Sequence, residues 1–130
     1  MIEVKNIEKS FDGKRILKGI STVFETGKTN LIIGQSGSGK TVLLKSLLGI
    51  HTPESGQICF DGRIYSELEA GEKRELRTEI GMVFQGSALF DSMTVAENVG
   101  FPLRMFTKDN RAKIQERVDF VLKRVNLTDR

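Results

Sequence analysis

A single cysteine, Cys59, leaves the chain no partner for an intrachain disulfide, and no metal-ligand spacing surrounds it. A packed thiol in a reducing compartment is the expectation. No apolar run approaches the roughly 20 residues that cross a bilayer, and the charged start "MIEVKNIEK" lacks the apolar stretch of a secretory leader. A cytosolic location follows as the expectation. Excess charge is equally scarce: 20 basic residues stand against 17 acidic ones, a net +3 that is too small and too evenly spread to make nucleic acid or an anionic membrane a leading partner. The chain also carries no internal repeat and no low-complexity linker. What is present, 130 residues of which 38% are hydrophobic and 28% charged, has the balance of one ordinary globular domain.

From Ile2 to Thr26 the pattern predicts two β-strands, "IEVKNIEKSF" and "RILKGISTVFE", joined at Asp12-Gly13, where a tight turn tolerates positive φ. After the turn "ETGK", Thr29 to Ile33 reads as a short apolar strand. In "KTVLLKSLLG", Leu43, Leu44, Leu47 and Leu48 fall at helical spacing, with Gly49 as the stop and Pro53 beyond it. "GQICFDGRIY" is a second hairpin around Asp61-Gly62, Ser66 to Thr78 holds a short helix at most, and "EIGMVFQ" is another buried strand. Thr94 and Glu97 form a capping-box pattern that starts a helix, which Pro102 should stop or kink. Ile114, Val118, Val121, Leu122 and Val125 share one face of a final helix. His51, the only histidine, is expected in an exposed loop.

The informative stretch is "IIGQSGSGKTVLL", where three glycines separate an apolar strand from a helix. Gly34, four residues, then Gly39-Lys40-Thr41 is the pattern G-x-x-x-x-G-K-[ST] in its confirming strand-to-helix context. Backbone N–H groups bind phosphate oxygens well only where the chain curls closely around them, and Gly34, Gly37 and Gly39 permit that. A helix beginning near Lys40 adds its positive dipole end, Lys40 a mobile charge, and the Thr41 hydroxyl a ligand for Mg²⁺. A phosphate loop alone does not choose among kinases, GTPases, recombinases and transport ATPases. Phe11, before the Asp12-Gly13 turn, offers either a face for a nucleobase or a hairpin-edge packing residue. Gln85, ending "GMVFQ", suits either a metal- or water-holding role or a plain strand cap.

Together these residues resemble the first half of the nucleotide-binding subunit of an ABC transporter, essentially end to end: "SFDG" at the adenine-stacking position, "GQSGSGKT" as the Walker A loop, the "PESGQICFDG" hairpin, and "GMVFQ" as the Q-loop. The resemblance implies that Phe11 stacks on adenine and that Gly34, Gln35, Ser36, Gly37, Ser38, Gly39, Lys40, Thr41 and Val42 bind the phosphates of ATP. It implies further that Thr41 and Gln85 attend Mg²⁺, with Lys40 and Gln85 the residues that act on the γ-phosphate. "VFQGSALFDSMTVAENVGFPLR" looks like the ATPases paired with Mce- and Mla-type phospholipid transporters. Val42 departs from the Thr or Ser usual in the family, which removes a side-chain bond to the α-phosphate but keeps the backbone N–H.

The implied fold is α/β, a P-loop NTPase of the ABC type. Residues 1–86 would form an antiparallel β subdomain with part of a RecA-like core, and 87–130 the start of a helical subdomain. The implied partners are a membrane permease, docked through the region from Ser87 to Phe106, and a second copy of the subunit, with no nucleic acid; the implied place is the inner face of the cell membrane. No "LSGGQ" signature, Walker B strand or switch histidine occurs in these residues. Residues 1–130 are therefore expected to be an incomplete ATP-binding domain, inactive alone. The competing expectation is a nucleotide-binding module of a soluble ABC-type protein acting on ribosomes or DNA, or a regulator that binds without hydrolysing.

Overall fold

The computed structural model describes residues 1–84, 86 and 88–127, which fall into two compact units, Met1–Gly81 and Met82–Arg130. In the first, β1 (Ile2–Phe11) and β2 (Lys14–Phe24) pair antiparallel, with Phe11 opposite Lys14 across a two-residue turn. Asp12 and Gly13 both take positive φ, 49° and 76°, which gives the turn the twist that the flanking strands require. A second hairpin, β3 (Ser55–Phe60) and β4 (Arg63–Ile64), turns at Asp61-Gly62 in the same way, and the sheet order is β2-β1-β3-β4. On β1 the buried Val4 and Ile7 are three residues apart, a spacing that alternation alone would send to opposite faces. A bulge resolves this: the register shifts between Val4 and Ile7, and Asn6 sits at φ 49° with its N–H donating to Ser21 Oγ at 2.9 Å.

One face of this sheet covers helix α1 (Lys40–Leu47), whose Leu43 and Leu47 join Val4, Ile7, Leu17, Ile58, Phe60 and Leu76 in a single core. Cys59 is buried, the packed thiol that the sequence predicts. Leu76 comes from α2 (Ala70–Thr78), started by a capping box between Glu69 and Glu72. At its far end Glu79 accepts two hydrogen bonds from Arg63, at 2.8 and 3.0 Å, tying α2 to β4. Those bonds hold the Glu79 carboxyl below its ordinary value, and the Ser10 N–H does the same to Glu54. A carboxyl of depressed pKa contributes stability that is present above the ordinary carboxylate range and is lost as pH falls through it. Urea midpoints should therefore hold steady from about pH 7 to 6 and decline below about pH 4.5, and the decline should be shallower in Glu79→Gln. Parallel curves for the two proteins would remove the Arg63–Glu79 pair from that role.

Two expected strands are absent. Residues 29–33 and 80–84 form no ladder, and Leu31 and Ile33 are 82% exposed and Val83 97%. Continuous apolar runs of this kind mark strands covered on both faces and hydrogen-bonded on both edges. Among the described residues no strand lies alongside either run and every paired strand is antiparallel, so of the expected P-loop core the described residues form the loop and α1 beside the antiparallel sheet.

The second unit is a helical hairpin of α3 (Val95–Phe106) and α4 (Arg111–Arg124). Thr94 caps α3 as expected, its Oγ accepting from Glu97 N at 3.2 Å while Glu97 Oε2 accepts from Thr94 N at 2.8 Å. Pro102 does not stop the helix, which continues to Phe106. Proline removes the donor for the Asn98 carbonyl, and Arg104 reaches back to donate to the adjoining Glu97 carbonyl at 2.5 Å, adding a bond beside the gap. Gly100 is buried against Ile114 and Val118 of α4, so the two helices approach closely where the side chain is missing. The α4 stripe is as read from Ile114 to Leu122, but Val125 is 57% exposed. No helix among the described residues is long and apolar enough to cross a membrane.

Candidate functional site

The glycine-rich loop begins at Gly34 and ends where α1 starts. A turn closed by Ser38 N donating to Gln35 O at 3.2 Å curls it around Ser36 and Gly37. Gly39, the residue before α1, has φ 98°, and a Cβ there would lie 3.0 Å from Ile16 Cγ2 and 3.1 Å from Leu17 Cδ2. The end of the loop is thereby pressed onto β2, and only glycine meets both the dihedral and the space. At Gly34 a Cβ would meet Ser38 Oγ at 2.7 Å, so the loop's two limbs also close on each other. No side chain caps α1. Helix geometry leaves the N–H groups of Lys40, Thr41 and Val42 without intrahelical acceptors, at the positive end of the helix dipole.

Lys40 is half-buried and folds back over the loop, donating from Nζ to Gly34 O at 2.7 Å and Gln35 O at 2.8 Å. The ammonium is thus already at the mouth of the amide cradle. Thr41 is exposed in the first turn of α1, while Val42 packs against the core, its carbonyl accepting from Ser46 Oγ at 2.8 Å. That packing accounts for an apolar residue where the family usually has a hydroxyl. Chemically, the loop offers amide donors, a dipole and one cation at a single point, a set matched to an anion of several oxygens. Among the described residues no cluster of three or more His, Cys, Asp or Glu side chains could hold a metal. Mg²⁺ fits only as an ion held jointly by the Thr41 hydroxyl and phosphate oxygens, the pattern this ion favours.

Phe11 ends β1 at the hairpin tip, 38% exposed. Its ring packs edge-to-face with His51 at a centroid distance of 5.1 Å and an interplanar angle of 72°, and Lys9 Nζ lies 5.3 Å from its centroid. His51 is half-buried, not the exposed loop residue that its neighbourhood suggests, because the end of α1 carries it against the hairpin. Glu54 completes the group, with Oε1 accepting from Ser10 N at 2.9 Å. Residues 44 positions apart meet here, and no local spacing pattern announces such a contact. Gln85 lies outside the described residues, as does Ser87.

A glycine-rich phosphate loop running into an uncapped helix, beside an antiparallel sheet, defines a nucleotide-binding cassette of the P-loop class. The chain belongs to the ABC transporter family, whose model matches residues 17–130. "Probable ribonucleotide transport ATP-binding protein mkl" of Mycobacterium leprae is 41% identical over 126 residues, covering 97% of this chain and 35% of its own length. "Spermidine/putrescine import ATP-binding protein PotA" of Chromobacterium violaceum is 43% identical over 128 residues, covering 98% of this chain and 34% of that protein. Among solved structures, a dimeric post-hydrolysis state of the ATP-binding cassette MJ0796, bound to ADP and Pi, superimposes with a TM-score of 0.86 at 28% identity over 97% of this chain and 57% of that one. The chain thus spans about a third of the length of the curated relatives it matches.

Proposed function

We propose that residues 34–42 bind the phosphates of ATP with Mg²⁺, as the nucleotide-binding part of an ATPase subunit that powers a membrane permease. The observation that carries this reading is the convergence of the curled loop, the uncapped start of α1 and the Lys40 ammonium, held 2.7 and 2.8 Å from two loop carbonyls. Lys40 exchanges those carbonyls for β- and γ-phosphate oxygens, the amides of 37–42 hold the remaining oxygens, and Thr41 shares the metal. When bound, Mg²⁺ neutralises charge on the phosphates. Phe11 stacks on the base, and Gln85 senses metal and γ-phosphate. Residues 1–86 serve as nucleotide platform and 87–130 as the start of the coupling region, the subunit standing on the inner face of the membrane beside a second copy.

The two curated relatives named above carry different cargoes in their names, so membership of the family does not by itself specify cargo. For this chain we assign a lipid-type permease, on the resemblance of "VFQGSALFDSMTVAENVGFPLR" to the phospholipid-system ATPases. Phe90 is 47% exposed and its ring packs at a tilt against Phe101, centroids 4.8 Å apart, while Asn98 ties its backbone and that of Met93 to α3. A rigid, partly apolar edge of this kind suits an apolar ridge of a partner. In the intact subunit, Phe90→Glu and Met93→Glu should reduce co-purification with a lipid-type permease while sparing ATP affinity. Undiminished complex formation by both variants would restrict these side chains to local packing.

Residues 1–130 contain the phosphate loop without an "LSGGQ" sequence. Turnover needs the attacking water and the developing charge positioned together. By themselves these residues therefore bind without sustained hydrolysis. Lys40-dependent phosphate release at about one per second from residues 1–130 alone would overturn that statement.

A further inference from the structure

Phe11 sits at the tip of a two-residue hairpin, a place where a side chain is ordinarily loose. Here the ring is held by His51, and the strand residues just before it by Glu54, both from the neighbouring loop, residues 51–54. The Phe11 ring meets the His51 ring at 5.1 Å. The β1 register shifts between Lys9 and Ser10, and the Ser10 N–H is taken up by Glu54 Oε1 at 2.9 Å. Lys9, whose ammonium lies over the Phe11 ring, is within 3.7 Å of the same carboxylate. The Glu54 N–H donates to Glu8 O at 2.9 Å. At the other end of this short loop, the N–H groups of Ile50 and His51 both donate to Lys45 O in the last turn of α1, at 2.9 and 3.2 Å. The loop is therefore anchored at one end on the helix that starts at Lys40 and at the other along β1 up to Phe11.

We infer that the 51–54 loop positions the base-stacking ring, with His51 and Glu54 as positioning residues that tie Phe11 to the phosphate-binding helix. This rests on the proposed nucleotide reading and adds two residues to it that have no assigned role. The contacts still leave 38% of Phe11 exposed, the area available for a base to cover. Edge-to-face packing on the ring and a fixed backbone at Ser10 remove the motions that binding would otherwise have to freeze, so affinity for the base rises through pre-organisation. The phosphate loop, which gains nothing from Phe11, should be indifferent to both residues.

The test compares MgATP with Mg-tripolyphosphate, which lacks base and ribose, by calorimetry on the chain. Phe11→Ala should weaken MgATP about tenfold and leave tripolyphosphate unchanged. His51→Ala should weaken MgATP about threefold to fivefold, again without change for tripolyphosphate, and Glu54→Gln should act in the same direction. His51→Phe keeps an aromatic edge against Phe11 and should restore the affinity for MgATP. With Phe11→Ala already present, His51→Ala should have no further effect, since a coupled pair is not additive. An unchanged preference for MgATP in His51→Ala, equal loss of both ligands, or the same loss in the Phe11→Ala background would overturn the inference. A wild-type chain that binds neither ligand would instead overturn the nucleotide reading beneath it.

Discussion

Lys40→Ala should weaken MgATP binding about tenfold to a hundredfold while leaving the fold intact. Within residues 34–42 Lys40 is the only cation. The loop amides and the α1 dipole give partial charges, whereas a hydrogen bond from a full ammonium to a phosphate oxygen is worth about 1.5–3 kcal/mol net. The chain loses little stability, because the lysine's present partners are the carbonyls of Gly34 and Gln35 in an exposed loop, which water can satisfy. Urea midpoints of variant and parent should coincide while calorimetric affinities separate. Equal affinities would take Lys40 out of the phosphate site. Coincident loss of stability and affinity would make its bonds to the loop structural.

Gly56→Ala should lower stability by about 3 kcal/mol, the largest change expected from a single methyl group here. Gly56 has φ 86°, and a Cβ would stand 2.4 Å from both the Lys5 and Asn6 carbonyl oxygens. Those atoms belong to the β1 bulge, flanked by the fully buried Val4 and Ile7, so the backbone has no free direction in which to withdraw. Left-handed strain adds to the clash. Gly71 provides the contrast: in the first turn of α2, with nothing within 4 Å of its missing Cβ and no positive φ, it should gain about 0.5–1 kcal/mol as Gly71→Ala. Urea unfolding of the two variants should move in opposite directions. A Gly56→Ala midpoint equal to the parent would mean that β3 can slide away from the bulge without loss.

Much of this arrangement is legible in the sequence, and the failures share a cause. Asp12-Gly13, Asp61-Gly62, the run Gly34 to Thr41, and the Thr94–Glu97 box are local patterns whose chemistry is complete within a few residues, and each forms where expected. The runs at 29–33 and 80–84 carry strand composition, but a strand exists only when a neighbour supplies its ladder, and composition does not contain the neighbour. The continuation of α3 past Pro102 is accompanied by Arg104 reaching back to Glu97, and the bulge at Asn6 by Ser21 of the adjoining strand, partners that no local pattern supplies. Likewise Phe11 reads as an isolated aromatic until the fold brings His51 and Glu54 to it. Val42 is the intermediate case: its departure from the family pattern is visible in the sequence, but its reason, contact with the core, is visible only in three dimensions.

The most direct test of the nucleotide reading is an amide chemical-shift titration of the ¹⁵N-labelled chain with MgATP. The proposed site predicts that the largest shifts fall on the backbone N–H groups of Gly37, Ser38, Gly39, Lys40 and Thr41, that a second group appears at Phe11 and His51, and that Mg-tripolyphosphate reproduces the first group without the second. Shifts that bypass residues 37–41, or their absence at saturating MgATP, would contradict it.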